Sequence, residues 1–421
     1  MTSVVARLLR NVLWLGTGEA LMKAGLFVVG VVVARGMGPD AMGAFTVGYG
    51  AALVLLQVMT AGQAEVLIRE TARLPMQARA LLAGSHAWQN RVALMVVPVA
   101  AAATFLVRPP LLRWTLLLFI PYVWLRARLV TAGAVFKGLD RMEVEVGARA
   151  VELGVLLVAT LLIASLGAPV WATGLAFGAG AAAALATIGR PLRRLPAAER
   201  AFPHAVLARE GSSFMGISVA NLLLSRTDTF LLAGLGIATA TVGYYGTALS
   251  LIWGLVAIPQ LLAVAMYPTV SRAASAARMT RGRILLIAVA AGVAGLALAA
   301  TADALAGPVV RGIFGVRYDP AVPLFARLAW SLPGSFVGML SGISVASFRR
   351  QRWSLALRSS LLVAVVAANL AVIPRFGALG SAGIAVAAQT AGGLGAVALA
   401  LLASRRVRAS KAEDAAWGLE P

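Results

Sequence analysis

Apolar residues run through this chain in blocks of about 20, a length that lets a helix cross ~30 Å of hydrocarbon. Short stretches rich in Arg, Gly and Pro separate the blocks. The pattern predicts helices over 12–34, 43–67, 85–106, 112–134, 146–166, 169–188, 212–234, 242–268, 284–304, 322–346, 355–374 and 379–403. That makes about twelve spans, with both termini on one side. The strict alternation of a transmembrane β-barrel strand, over about ten residues, is missing. The expected fold class is all-α: a polytopic membrane protein with about 12 transmembrane helices in two pseudo-symmetric six-helix lobes.

The division into lobes rests on an internal likeness. ARGMGPDAMGAF joins the first two spans, and LAGLGIATATVGYY joins the seventh and eighth. Each supplies a G-x-G turn, then a Gly followed by an aromatic that opens the next helix. From Gly43 to Arg73 is 30 residues, and from Gly243 to Arg272 is 29. A duplicated bundle, both copies in the same orientation, explains the matched spacing. The expected boundaries are 1–190 for the first lobe, 191–210 for a cytoplasmic linker, 211–404 for the second lobe and 405–421 for a polar tail.

Composition sharpens this picture. The 421 residues are 60% hydrophobic, with a mean hydropathy of +0.87, against about 45–50% apolar in soluble domains. With no Cys there is no disulfide framework, iron–sulfur centre or thiolate zinc site. His86 and His204, the only imidazoles, fall in expected loops, so neither a metal nor a cofactor is expected. No HExxH, no GxSxG with a triad and no Walker-type loop occurs, which predicts neither an enzyme nor an ATP-driven pump. The first apolar segment is too long and, with Glu19 and Lys23, too polar for a cleaved signal peptide, and it is expected to be retained.

A net charge of +21 would suit a nucleic-acid partner. Its placement argues otherwise. With the N-terminus cytoplasmic, inner loops and tails hold 26 of the 37 Lys and Arg, and outer loops hold six. Arg69, Arg73 and Arg79, then Arg190, Arg193 and Arg194, lead the inner set. The positive-inside rule therefore predicts a cytoplasmic-membrane protein with both termini cytoplasmic and no nucleic-acid partner.

The ionic groups inside the spans carry the candidate chemistry. In WLGTGEALMKAGLFVVGVVVARG, Glu19 and Lys23 are four apart, the favourable order for a helical pair. Lys23 lies about 16 Å from the inner helix end. Either the pair neutralises itself against a neighbouring helix, or it lines an aqueous path. In SVANLLLSRTDTFLLAGLG, Asn221, Ser225 and Asp228 share a face, and Arg226 lies on another. Arg327 is either a cavity residue or an outer-leaflet anchor. Arg126 and Arg128 are expected to snorkel to headgroups. Glu65 with Arg69, and Arg149 with Glu152, read as local interfacial pairs.

Three stretches resemble a known family. ARGMGPDAMGAFTVGYGAALVL…RETAR is similar to its first two helices and inner loop. SRTDTFLLAGLGIATATVGYYGTALSL is similar to the start of its second lobe, and GIFGVRYDPAVPLFARLAW to its outer loop and tenth helix. The family is the Wzx-like oligosaccharide flippases of the multidrug/oligosaccharidyl-lipid/polysaccharide exporter superfamily. The resemblance implies two lobes around a cavity that opens alternately, and an undecaprenyl-diphosphate-linked oligosaccharide as cargo. About twelve spans, where the peptidoglycan-precursor branch has fourteen, favour capsule, O-antigen or exopolysaccharide units. Lys23, Arg226, Arg327 and Asn221 become substrate-binding candidates, and Glu19 and Asp228 ion-coupling candidates. Implied partners are membrane lipids, a polysaccharide polymerase and glycosyltransferases. The competing readings are a multidrug antiporter of the same fold, a membrane glycosyltransferase and a membrane scaffold.

Overall fold

A computed structural model describes residues 2–196, 202–275, 279–347 and 351–416, and among them no strand occurs. The helices in chain order are α1 Thr2–Met37, α2 Pro39–Thr60, α3 Gln63–Arg73, α4 Ala78–Thr104, α5 Pro110–Gly138, α6 Met142–Ser165 and α7 Ala172–Arg193. They continue with α8 His204–Gly234, α9 Thr239–Ser275, α10 Arg281–Ala304, α11 Ala306–Phe314, α12 Val322–Ala329, α13 Leu332–Ser347 and α14 Gln351–Ala416. Among the described residues, eight helices are long and apolar enough to cross a membrane, and α12 with α13 forms a further span bent by 42°. One of the eight, Trp353–Ser404, is 52 residues long and holds two spans. The remaining two of the twelve are α4 and α8, whose apolar character is diluted by Arg79 and Arg91 and by Arg226 and Asp228.

The reversal inside α14 follows from its backbone. Gly377 leaves the helical region, with φ 57° and ψ −143°, just after Pro374. Asn369 and Ser381 flank this break, and Ser381 Oγ donates to Asn369 Oδ1 at 2.7 Å. In a continuous helix two residues twelve apart would stand about 18 Å from each other. The two legs of α14 therefore fold back on one another. The second leg continues as helix to Ala416, into the stretch expected to be a loose tail. Its Ala, Arg and Lys content favours helix.

The chain divides into two compact units, Met1–Leu223 and Leu224–Pro421, so the division falls inside α8. Residues 197–201 of the expected linker lie outside the described residues. The first turns of α8 belong with the first unit because they are fastened there. The Phe202 N–H donates to the Ala80 carbonyl at 3.0 Å, and Leu207 is buried with Val66, Leu67, Leu81 and Ala134. Arg69 on α3 forms ion pairs with Glu70 and with Glu210 on α8, not with Glu65 as its spacing suggested. The hydrogen bonds it donates to them, that to Glu70 foremost, raise the Arg69 guanidinium above its usual value.

Each unit is organised about the fourth of its six spans. In the first, α5 packs against α2, α3, α4 and α7; in the second, α13 packs against α9, α10 and α14. The centre of the first unit is an aromatic cluster: Phe177 lies 5.2 Å from Tyr49, 5.3 Å from Phe119 and 5.1 Å from Tyr122 between ring centroids. The duplicated turns match in backbone detail. The second glycine of each G-x-G, Gly38 and Gly236, takes a left-handed φ of 86° and 80°. They diverge one helix later. The helix after Gly38 breaks at Ala61 and Gly62, both at positive φ, whereas α9 continues to Ser275.

Gly38→Ala and Gly236→Ala should each lower stability by about 1–2 kcal/mol, because a Cβ is disfavoured at positive φ. Gly154→Ala, in mid-α6 with open space at its Cβ position, should leave stability unchanged or raise it slightly. Thermal unfolding of these variants in detergent checks both outcomes.

Candidate functional site

In the first unit, charges from α1, α5 and α6 form a connected chain. Lys23 Nζ lies 3.8 Å from Glu19, one turn away on α1, with both side chains half exposed at 51% and 57%. Glu19 also receives Arg149 of α6 at 3.2 Å. Arg149 in turn reaches Glu145 at 2.6 Å, and Glu145 reaches Lys137 at the end of α5 at 3.2 Å. Opposite charges thus alternate from Lys23 to Lys137. Gly133 leaves room for this arrangement, since a Cβ there would meet Glu145 Cγ at 2.8 Å. Arg126, Lys137, Glu145 and Arg149 line a cavity of about 50 Å³. That is room for water, not for a sugar.

Three sequence expectations are corrected here. Glu152 does not pair with Arg149; it forms a buried ion pair with Arg126, with side chains 4% and 13% exposed. Arg126 is therefore not snorkelling to headgroups. Its neighbour Arg128 stacks over Trp124 at 4.3 Å and donates to Asn90 at 2.6 Å. Local spacing fails in both cases because the better partner stands on an adjacent helix. His86 is likewise not in a loop but within α4. No cluster able to hold a metal occurs among the described residues.

The second unit treats its buried acid differently. Asp228 Oδ2 accepts from the Tyr245 hydroxyl at 2.5 Å, and Oδ1 accepts from the Thr229 N–H at 2.7 Å. Ser381 lies within hydrogen-bonding reach of Tyr245 and donates to Asn369. Asp228, Tyr245, Ser381 and Asn369 are all buried, so one oxygen-rich network joins α8, α9 and both legs of α14. Arg226 is also buried, its guanidinium 3.9 Å over the Trp253 ring. The shared helical face changes character along α8. Asn221 is half-buried and Ser225 exposed, while Arg226 to Thr229 are buried. Arg327 sits elsewhere in this unit, exposed in a cleft with Asp303 and Trp330.

Six candidates thus fall into separate settings. The structure brings Glu19 and Lys23 together in the first unit, where Asn221 also belongs. It places Arg226, Asp228 and Arg327 in the second, the first two on α8 and Arg327 on α12. The sequence reading missed Arg149, Glu145, Tyr245, Asn369 and Ser381. Glu145 and Arg149 carried an i, i+4 signal, and Asn369 stands as a lone amide in the apolar run VAANLAVIP.

The sequence model of a family described as polysaccharide biosynthesis protein matches residues 8–274. The chain belongs to that family. As a polysaccharide biosynthesis protein it also has the fold of a known transporter superfamily. An inward-facing multidrug resistance MATE family transporter of the MOP superfamily superposes with a TM-score of 0.75 at 16% identity, over 95% of this chain and 99% of that one. The lipid II flippase MurJ, in an inward closed conformation, gives 0.68 at 11%, over 91% and 86%. A MOP superfamily transporter from Pyrococcus furiosus gives 0.62 at 16%, over 97% and 96%. No curated protein sequence matches the chain. At these identities the structural likeness establishes the fold: this polysaccharide biosynthesis protein is a multi-pass membrane protein built as MOP transporters are.

Removing either partner of the Arg126–Glu152 pair, as in Arg126→Met or Glu152→Gln, should destabilise the fold by about 3–5 kcal/mol by leaving a buried charge uncompensated. The double variant Arg126→Met with Glu152→Met should recover most of that loss in thermal unfolding. Tyr245→Phe should cost about 1–3 kcal/mol, since it strips Asp228 of its short hydrogen bond, and the same measurement reads it.

Proposed function

We propose that the protein carries an undecaprenyl-diphosphate-linked oligosaccharide from the inner to the outer leaflet of the cytoplasmic membrane, with both termini cytoplasmic. The observation that carries this reading is the Lys23–Glu19 pair, half exposed within a membrane-length helix. A charge facing hydrocarbon there costs about 2.5–3.5 kcal/mol, which favours placing this half-exposed pair on an aqueous route. Lys23, with Arg149 behind it, presents cationic groups to that route, and ammonium and guanidinium groups grip phosphate oxygens by charge-assisted hydrogen bonds.

The family supports a carbohydrate cargo, and the likeness to a lipid II flippase supports a lipid-linked one. In the Pyrococcus furiosus transporter, a reverse polarity of the binding pocket suggests a different function. Lys23 and Arg149 on the proposed route disfavour a cationic drug as cargo. The polyprenyl tail stays in lipid while the head crosses. An inside-negative potential favours an anion moving outward, by ~2.3 kcal/mol per charge per 100 mV. Asp228, buried and held by the Tyr245 hydroxyl and the Thr229 N–H, is the coupling candidate for a proton or a hard cation, with Glu19 as the second. The polymerase and glycosyltransferases of the same biosynthesis are the expected partners.

Lys23→Ala should cut export of the lipid-linked glycan at least about tenfold, the loss of one charge-assisted contact. Lys23→Arg should keep it, with both variants at normal membrane levels. Unchanged export in Lys23→Ala removes Lys23 from the route. Sensitivity to cationic drugs on deletion, with export intact, overturns the reading in favour of a multidrug antiporter.

A further inference from the structure

The cleft around Arg327 is separate from the ionic groups invoked for transport. It encloses about 570 Å³ in the second unit, with Asp303, Arg327 and Trp330 as its polar lining and Leu379 and Val386 among its apolar walls. It opens where three helical segments end: α10 stops at Ala304, α12 starts at Val322, and the second leg of α14 starts just past Gly377. The ends of apolar spans mark the depth of lipid headgroups.

The polar groups are arranged in a particular way. Trp330 Nε1 donates to Asp303 Oδ2 at 3.3 Å, which fixes both side chains at the rim. The Arg327 guanidinium lies against the backbone of α14 at Gly383, where a Cβ would meet Nη2 at 3.2 Å. Arg327, Trp330 and Asp303 are all exposed, and among the described residues Arg327 and Asp303 form no ion pair with each other. One cation and one anion thus face the same cleft, held apart by their own supports.

We propose that this cleft binds the headgroup of a zwitterionic phospholipid, phosphatidylethanolamine in particular. Arg327 takes the phosphate, as guanidinium groups do. Asp303 and the Trp330 ring take the ammonium, by charge and by cation–π attraction. Leu379 and Val386 accept the first part of an acyl chain. The pairing of one cation with one anion in this cleft matches a zwitterionic headgroup, whereas a neutral sugar would satisfy neither charge. The site concerns bilayer lipid and does not depend on the identity of the cargo.

Native mass spectrometry of the delipidated full-length protein, titrated with phosphatidylethanolamine or phosphatidylglycerol, tests this. The unsubstituted protein should retain phosphatidylethanolamine in preference. Asp303→Asn should abolish the preference while keeping phosphatidylglycerol, and Arg327→Gln should weaken both lipids about fivefold, the scale of one exposed charge contact. Arg327→Lys should restore binding, which guards against Arg327→Gln failing to fold. Arg375→Gln, at the neighbouring turn, should change nothing. Equal retention of the two lipids, or an unaltered preference in Asp303→Asn, overturns the proposal. Displacement of phosphatidylethanolamine by a soluble oligosaccharide overturns it in favour of a sugar site.

Discussion

An ionic side chain in a helix of membrane length must find water or a partner, and this requirement orders most of what distinguishes the two units. The first unit answers with ions: Arg126 against Glu152 in the interior, and an alternating run from Lys23 to Lys137 that ends half exposed. The second answers with neutral hydrogen-bonding groups, enclosing Asp228 among Tyr245, Thr229 and the Ser381–Asn369 pair, and lays Arg226 on an indole ring. An alternating run can shed or gain one member at its exposed end while its interior stays neutralised. A buried carboxylate with short hydrogen bonds responds instead to whatever replaces its donors. The two units therefore offer different kinds of response to a ligand or an ion.

Much of the fold was legible in the sequence because it depends on chain-local physics. Block length set the spans, and the G-x-G repeats fixed the two turns that need left-handed backbone. Pairing across helices was not legible. Arg149 sits three residues from Glu152 and Arg69 four from Glu65, yet neither takes that acid: each joins another local acid, Glu145 or Glu70, to one brought in by folding, Glu19 or Glu210. The break at Ala61 and Gly62 was hidden as well, because the second copy carries its corresponding helix through. Of the candidate residues, Asp228 and Lys23 could be singled out because charge is rare in such runs. Tyr245 and Ser381 could not, being ordinary residues until the acid and the amide stand beside them.

The same architecture serves a multidrug transporter and a lipid II flippase at 16% and 11% identity. Such a scaffold does not by itself fix a function, which lies in the side chains it carries. Here the family match narrows the biology to polysaccharide synthesis.

The hairpin within α14 bears on how the protein is made. Asn369 is an amide in the middle of an apolar leg, and its carbonyl is satisfied by Ser381, across the reversal at Gly377. Until the second leg arrives, that carbonyl faces lipid with no donor, at a cost of several kcal/mol by the rule that hydrocarbon tolerates no orphaned polar group. Biogenesis of this region is thus best served by delivering both legs to the bilayer together. A ribosome that paused between them would leave the nascent chain at its most vulnerable.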